Sequence, residues 1–142
     1  MNIDLVSLLF AFRGRINRAK YWIAAAVYIA VSIVAVILGL TVGMGTIFFV
    51  CLAILYIPMI VSSIAVGLKR LHDRDKSGWW LWLFYAGPSV LSGIGKTAGD
   101  TPFVFSLAGF AISIWAFVEL GCLRGTAGPN RYGPDPLAGA AA

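Results

Sequence analysis

Charged side chains are scarce in this chain, and one long stretch has none. Only 12% of the 142 residues are Asp, Glu, Lys or Arg, whereas an ordinary soluble domain has about 25%. Residues 21 to 68 carry no charge over 48 positions. A soluble domain built from such a sequence would have too little polar surface to present to water. The scarcity of charge therefore excludes a soluble globular protein.

Metal ligands are equally scarce. The chain has one histidine, His72, and two cysteines, Cys51 and Cys122, which fall in separate apolar segments without metal-ligand spacing. Because a zinc site needs three or four ligands, we expect no metal and no cofactor. The net charge of +5 does not indicate nucleic acid here, because the placement of the basic residues points to a membrane instead.

The chain does contain four apolar segments. A bilayer core about 30 Å thick is crossed by about 20 helical residues, so the uncharged run, interrupted by glycines in residues 39–45, is long enough for two spans. A third segment is weaker because Gly87 and Pro88 interrupt it, which predicts a kinked or short helix. The fold class is therefore predicted to be all-α, a polytopic bundle of four transmembrane helices in one domain over residues 1–142. The expected spans are about 21–40, 46–68, 79–95 and 103–122.

The basic residues predict an orientation for these spans. Ten of the eleven Lys and Arg residues fall before the first span, between the second and third, or after the fourth; only Lys96 falls on the other side. By the positive-inside rule, both chain ends are expected in the cytoplasm.

The two ends of the chain lie outside the four segments. Residues 3–12 are apolar but too short to cross a membrane, and with Asn2 or Asp4 as an N-cap they favour a short helix in the membrane interface. A disordered start, or one tucked into the core, is the alternative. Residues 137–142 are expected to be disordered.

Three polar segments together resemble the DUF805 family of small bacterial inner-membrane proteins. They read FRGRINRAKYW at residues 12–22, KRLHDRDKSGWW at 69–80 and GTAGPNRYGPDP at 125–136. The resemblance covers nearly the whole chain in order and spacing, with Lys20 standing where an acidic residue is common. It implies a four-helix inner-membrane protein and no known reaction, because the family is named for its unknown function.

These segments are predicted to form one polar cap on the cytoplasmic face, where spare cations would lie at the depth of lipid phosphates. Helical spacing places Lys69 and Arg70 beside Asp73 as ion-pair partners. The alternative is that the cations only set topology and extend to the interface. The candidate residues for an anionic-lipid site in the cap are Arg13, Arg15, Arg18, Arg70, His72, Asp73, Arg74, Trp79, Asn130, Arg131 and Tyr132.

Two acidic positions invite other interpretations. Glu119 is the only acid inside a predicted span, which indicates either an ion pair or a proton- or cation-coupled role. The partners expected for such a pair are Arg13, Arg15, Lys69 and Arg70. His72 beside Asp73 invites a general-base role, but no nucleophile accompanies it, and a hydrogen bond from the ring to backbone or carboxylate is the simpler expectation.

The preferred function is non-enzymatic: a membrane component that binds membrane lipids, such as anionic headgroups, or an unknown protein partner through the cap. A homo-oligomer is open as well, because small residues such as Ala24 to Ala26 allow close helix contact. The alternatives are a small transporter or channel subunit and a lipid-modifying enzyme that uses His72 and Asp73.

Overall fold

The computed structural model describes residues 4–97 and 101–138. In these residues the chain is helical, with one helix that ends in a π-helical turn. The helices are α1 (Leu5–Phe10), α2 (Arg18–Val42), α3 (Thr46–Asp73), α4 (Trp79–Thr97) and α5 (Pro102–Phe117), and α5 continues into the π-helical turn Val118–Cys122. By length and composition α2, α3 and α5 with its π-turn are able to cross a membrane, and α4 is not among them.

Helices α2 and α3 form the first hairpin. Asn17 caps α2, since its side-chain oxygen accepts a hydrogen bond from the Lys20 backbone N–H at 2.9 Å. At the other end, Gly43 has a φ of 76°, a conformation that costs other residues strain. The predicted glycine turn therefore joins the two helices, and α3 begins at Thr46.

Helices α4 and α5 form a second hairpin with very close backbones. Pro88 lies inside α4 and does not end it, so the helix runs to Thr97. A Cβ on Gly109 of α5 would lie 3.3 Å from the Cα and carbonyl oxygen of Pro88, and one on Gly95 would lie 3.2 Å from the Pro102 carbonyl. Small residues at these crossings allow the helices to pack tightly.

The two hairpins meet at one end only. Their shared core there contains Leu71, Leu81, Phe84 and Leu120. Among the described residues, α2 and the α-helical part of α5 have no Cα atoms within 8 Å of each other. The predicted bundle is thus closed at one end and open along the rest. Large apolar side chains such as Leu40, which is 82% exposed, point outward. Lipid tails are as apolar as leucine, so a bilayer supplies no hydrophobic driving force to bring these faces together.

Helix α1 lies beside this closed end. Asp4 caps it by accepting hydrogen bonds from Val6 and Ser7 N–H groups at 3.1 and 3.2 Å, whereas Asn2, the other expected cap, lies outside the described residues. Leu8 is buried, Leu9 packs against the same core cluster, and Val6 is 72% exposed, so the helix packs by one side and presents the other outward.

The chain end is described as far as Ala138. Leu137 and Ala138 donate backbone hydrogen bonds to Asp135 in a turn, so the first two residues of the predicted disordered tail are placed. Residues 139–142 lie outside the described residues.

Candidate functional site: the polar cap

The three polar segments predicted to cluster are in contact at the closed end of the molecule. We call residues 12–22, 69–80 and 118–136, where they meet, the polar cap. The tail reaches both other segments: the Arg15 guanidinium donates to the Thr126 carbonyl at 2.6 Å, and the Asn130 amide donates to the His72 carbonyl at 2.8 Å.

An aspartate between two arginines forms the centre of the cap. Arg15 Nη2 lies 3.1 Å from Asp73 Oδ1, and Arg70 Nη1 lies 2.5 Å from Asp73 Oδ2. The side chains of Arg15, Arg70 and Asp73 are 1%, 0% and 4% exposed. Buried charges of this kind are tolerated only when each is paired and hydrogen-bonded. The helical spacing had predicted the Arg70–Asp73 contact.

Backbone carbonyls bind the remaining donors of both guanidinium groups. Arg15 donates to Gly128 at 2.7 Å as well as to Thr126, and Arg70 donates to Leu120 at 2.7 Å and to Leu123. Within the described residues, every buried side-chain nitrogen and oxygen has a hydrogen-bond partner. Arg15 and Arg70 are among the candidate residues for the anionic-lipid site. They are not spare, because the protein's own acid and carbonyls occupy their donors.

The tail is fitted to the central aspartate at Gly125. A Cβ there would lie 2.0 Å from Asp73 Oδ2, which no side chain permits. The next residue, Thr126, donates its backbone N–H and hydroxyl to the Asp73 carbonyl at 2.8 and 3.1 Å. A turn closed by Asn130 and Gly133, which exchange backbone hydrogen bonds at 3.1 and 3.0 Å, completes this segment.

His72 is part of the same junction but has no carboxylate partner in the described residues. Its Nδ1 lies 3.3 Å from the Gly14 carbonyl, which makes it the donor. Its ring stacks on Tyr132 with centroids 3.9 Å apart and planes 9° apart. The contacts are those of a side chain that joins α3 to the N-terminal segment and the tail.

Glu119 in the π-turn forms a second ion pair, in which the carboxylate is buried and the cations are partly exposed. Its Oε1 accepts from Arg74 Nε at 2.9 Å and lies 3.0 Å from Lys76 Nζ, and its side chain is 4% exposed. A structural ion pair is therefore present, but the partners named from the sequence were wrong. The π-turn directs Glu119 to the residues just after α3, while Arg70 is occupied by carbonyls of that turn.

The family model of DUF805, described as a protein of unknown function, matches residues 9–134. The chain belongs to the DUF805 family. This confirms the resemblance carried by the three polar segments.

Named relatives of this DUF805 protein occur in Escherichia coli K12. It is 33% identical to "Uncharacterized protein YiiR" over 134 residues, covering 89% of this chain and 86% of YiiR. It is 32% identical to "Inner membrane protein YhaI", with 90% and 87% covered, and 30% identical to "Inner membrane protein YhaH", with 88% and 86% covered. No solved structure matches the chain.

The rim of the DUF805 cap carries the other predicted residues. Arg18 donates to the Cys122 carbonyl at 3.0 Å. Arg131 pairs with Asp75 at 3.1 Å, with 58% and 46% of the two side chains exposed. Trp79 is 79% exposed, and Arg13 is exposed as well. These residues lie around the central network and not within it.

A shallow cleft of about 230 Å³ lies between the start of α2 and the tail, bordered by Arg18, Arg124 and Asp135. Backbone N–H groups of Leu137 and Gly128 donate to the Asp135 carboxylate. These bonds favour its charged form and hold the pKa of Asp135 below its usual value.

Lys69 was predicted as an ion-pair partner of Asp73 or Glu119, and among the described residues it pairs with neither. It lies one helical turn from Asp73, as an ion-pair partner would, yet its Nζ donates to the carbonyls of Ser7 and Leu8 in α1 at 2.9 and 2.6 Å. Lys69 is 3% exposed. The sequence did contain a signal that some cations here bind other groups: residues 69–76 hold more cations than Asp73 can pair with. Sequence reasoning also missed Gly125, Thr126 and Lys76. It placed their segments in the cap, but their residue types did not show which of them would make the contacts.

Proposed function

We propose that this protein crosses the bacterial inner membrane four times, with the polar cap and both chain ends in the cytoplasm. The membrane location is supported by relatives named inner membrane proteins and by three helices long and apolar enough to cross. The orientation is supported by the ten of eleven Lys and Arg residues that fall on the side of the cap. The ends of α3 and of the π-turn both lie in the cap. Helix α5 therefore starts at the opposite end of the molecule. Because α4 starts in the cap at Trp79, it must cross the same distance to reach the start of α5. At 19 residues, α4 has a length of about 28 Å.

We further propose that the protein binds anionic membrane lipids through the rim of the cap. The carrying observation is the set of rim cations without a carboxylate within ion-pair distance among the described residues. These are Arg13, Arg18, Lys20 and Arg124.

Exposed tryptophans accompany these cations. Trp22, Trp79 and Trp82 are 45%, 79% and 69% exposed, and tryptophan is typical of the level where headgroups meet the hydrocarbon. Each cation close to an anionic membrane surface contributes about 1 kcal/mol of attraction. Cations and aromatic rings at one end of the molecule thus support a surface that prefers anionic headgroups.

The test compares lipids retained after purification. Wild type and an Arg13→Gln/Arg18→Gln/Arg124→Gln variant are equilibrated with a mixture of phosphatidylethanolamine and phosphatidylglycerol, and bound lipids are counted by native mass spectrometry. We expect wild type to be enriched in phosphatidylglycerol and the variant to lose that enrichment. The control is Lys96→Gln, which removes a charge at the far end of α4. Equal enrichment in the triple variant and wild type would refute the proposal.

A further inference from the structure

Between α1 and the cap-side ends of α2 and α3 lies a cleft of about 240 Å³. We propose that it binds the phosphate of one anionic phospholipid, with Lys69 at its floor. This inference rests on the proposed lipid-binding function and assigns it a defined site.

The cleft has a strong excess of positive charge. Its lining includes Arg13, Lys20 and Lys69, with Asp4 as the one acidic residue among the described residues that line it. Arg15 also lines it, but its donors are bound by Asp73 and the tail. Arg13 and Lys20 make no ion pair among the described residues, and Lys69 has one donor left, so these three cations can act on a ligand in this space.

Lys69 is the observation that points to a negative ligand. The residue is 97% buried, because its exposed fraction is 3%, and among the described residues no carboxylate lies within 4.0 Å of its ammonium. An ammonium group has three donors, of which two bind the Ser7 and Leu8 carbonyls. Burial of a cation without an opposite charge is costly.

Asp4 does not supply the missing charge. Its Oδ1 accepts the backbone N–H groups of Val6 and Ser7 as the cap of α1, and it makes no ion pair with Lys69. The anion therefore comes from outside the described chain. A phosphate oxygen would accept the third Lys69 donor, and Arg13 and Lys20 would approach its other oxygens.

An apolar slot on the same three helices supports an acyl chain on this phosphate. This slot, of about 130 Å³, is lined by residues of α1, α2 and α3, among them Phe10, Val27 and Ser62. Along α2, Val27 follows Lys20 by seven residues, and along α3, Ser62 precedes Lys69 by seven. Seven residues of helix span about 10 Å. On both helices the slot therefore lies about 10 Å farther from the cap than the cleft does. In the proposed orientation, the hydrocarbon of the bilayer lies on this side of the lipid phosphates.

The test measures ligand-dependent stabilisation in a neutral detergent. The probes are dioctanoyl phosphatidylglycerol, dioctanoyl phosphatidylcholine and glycerol phosphate, which has the phosphate without chains. We expect saturable stabilisation of wild type by the phosphatidylglycerol alone. Arg13→Gln/Lys20→Gln, which leaves the buried network intact, should bind it about 30-fold more weakly. Arg124→Gln, which removes a rim cation outside the cleft, should bind like wild type.

The outcomes separate this site from the general function. One outcome is that Arg13→Gln/Lys20→Gln binds phosphatidylglycerol as tightly as wild type, while phosphatidylglycerol still stabilises the protein more than phosphatidylcholine does. This result would overturn the proposed site in the cleft and leave the rim proposal intact. No preference of wild type for phosphatidylglycerol would overturn both. Equal stabilisation by glycerol phosphate would overturn the lipid and identify the ligand as a free phosphate compound.

Discussion

Replacing Asp73 with Asn removes the charge shared by the two buried arginines of the cap while keeping the shape of the side chain. The carboxylate makes contacts of 3.1 Å to Arg15 and 2.5 Å to Arg70, whose side chains are 1% and 0% exposed. Breaking one buried pair costs about 3 to 5 kcal/mol because a charge stays behind without compensation. Since two cations lose the same partner, we expect the upper end, about 5 kcal/mol of the free energy of unfolding.

The assay is equilibrium unfolding in mixed micelles as the fraction of SDS is raised. The matched control is Asp75→Asn two residues later, which breaks a pair with Arg131 whose side chains are 46% and 58% exposed. Exposed pairs contribute about 0 to 1 kcal/mol, and Asn tolerates the φ of 54° at this position. If the two variants lost the same stability, the buried triad would not be what holds the cap together.

Three other predictions concern the cap and its orientation. Gly125→Ala should lower the free energy of unfolding by about 1 to 3 kcal/mol or more through overpacking, because its Cβ would lie 2.0 Å from a buried carboxylate oxygen. The control is Gly93→Ala, whose Cβ would meet nothing within 4 Å. Similar melting temperatures of the two variants would contradict the close fit at Gly125. Glu119→Gln should cost about 1 to 3 kcal/mol, since Arg74 and Lys76 are 25% and 28% exposed and can turn to water; an unchanged melting temperature would mean that the pair contributes nothing. Reporter fusions after Gly43 and Asp100 should report the exterior, and fusions after Lys76 and Ala142 should report the cytoplasm. A cytoplasmic signal after Asp100 would show that α4 does not cross the membrane.

Local signals in the sequence were sufficient to predict where the helices lie in the chain. A glycine with positive φ closes the first hairpin at Gly43, and the turn before Trp79 releases α4 where the polar segment ends. The i to i+3 spacing on a helix also predicted the Arg70–Asp73 pair. Each of these features depends on residues close together in the chain, which is why their types alone indicate the structure.

The partners of the buried cations could not be predicted in the same way. Arg15 is bound mainly by the carbonyls of Thr126, Gly128 and Gly133, and every residue has a carbonyl, so no residue type marks these positions. The π-turn that directs Glu119 to Arg74 is likewise a change of backbone register without a compositional signature. The sequence therefore indicated which segments meet, but not which atoms.

The distance along the chain between Arg15 and its partners has a consequence for biosynthesis. The carbonyls that bind Arg15 lie 111 to 118 residues later, and synthesis proceeds from the N-terminus. Until those residues are synthesised, Asp73 is the one partner available to Arg15 among those that the structure shows. Both hairpins precede those residues, so their joining at the cap is completed only by a full-length chain. A product ending before Thr126 would keep Asp73 beside Arg15, but it would leave the guanidinium donors that Thr126, Gly128 and Gly133 bind without these partners.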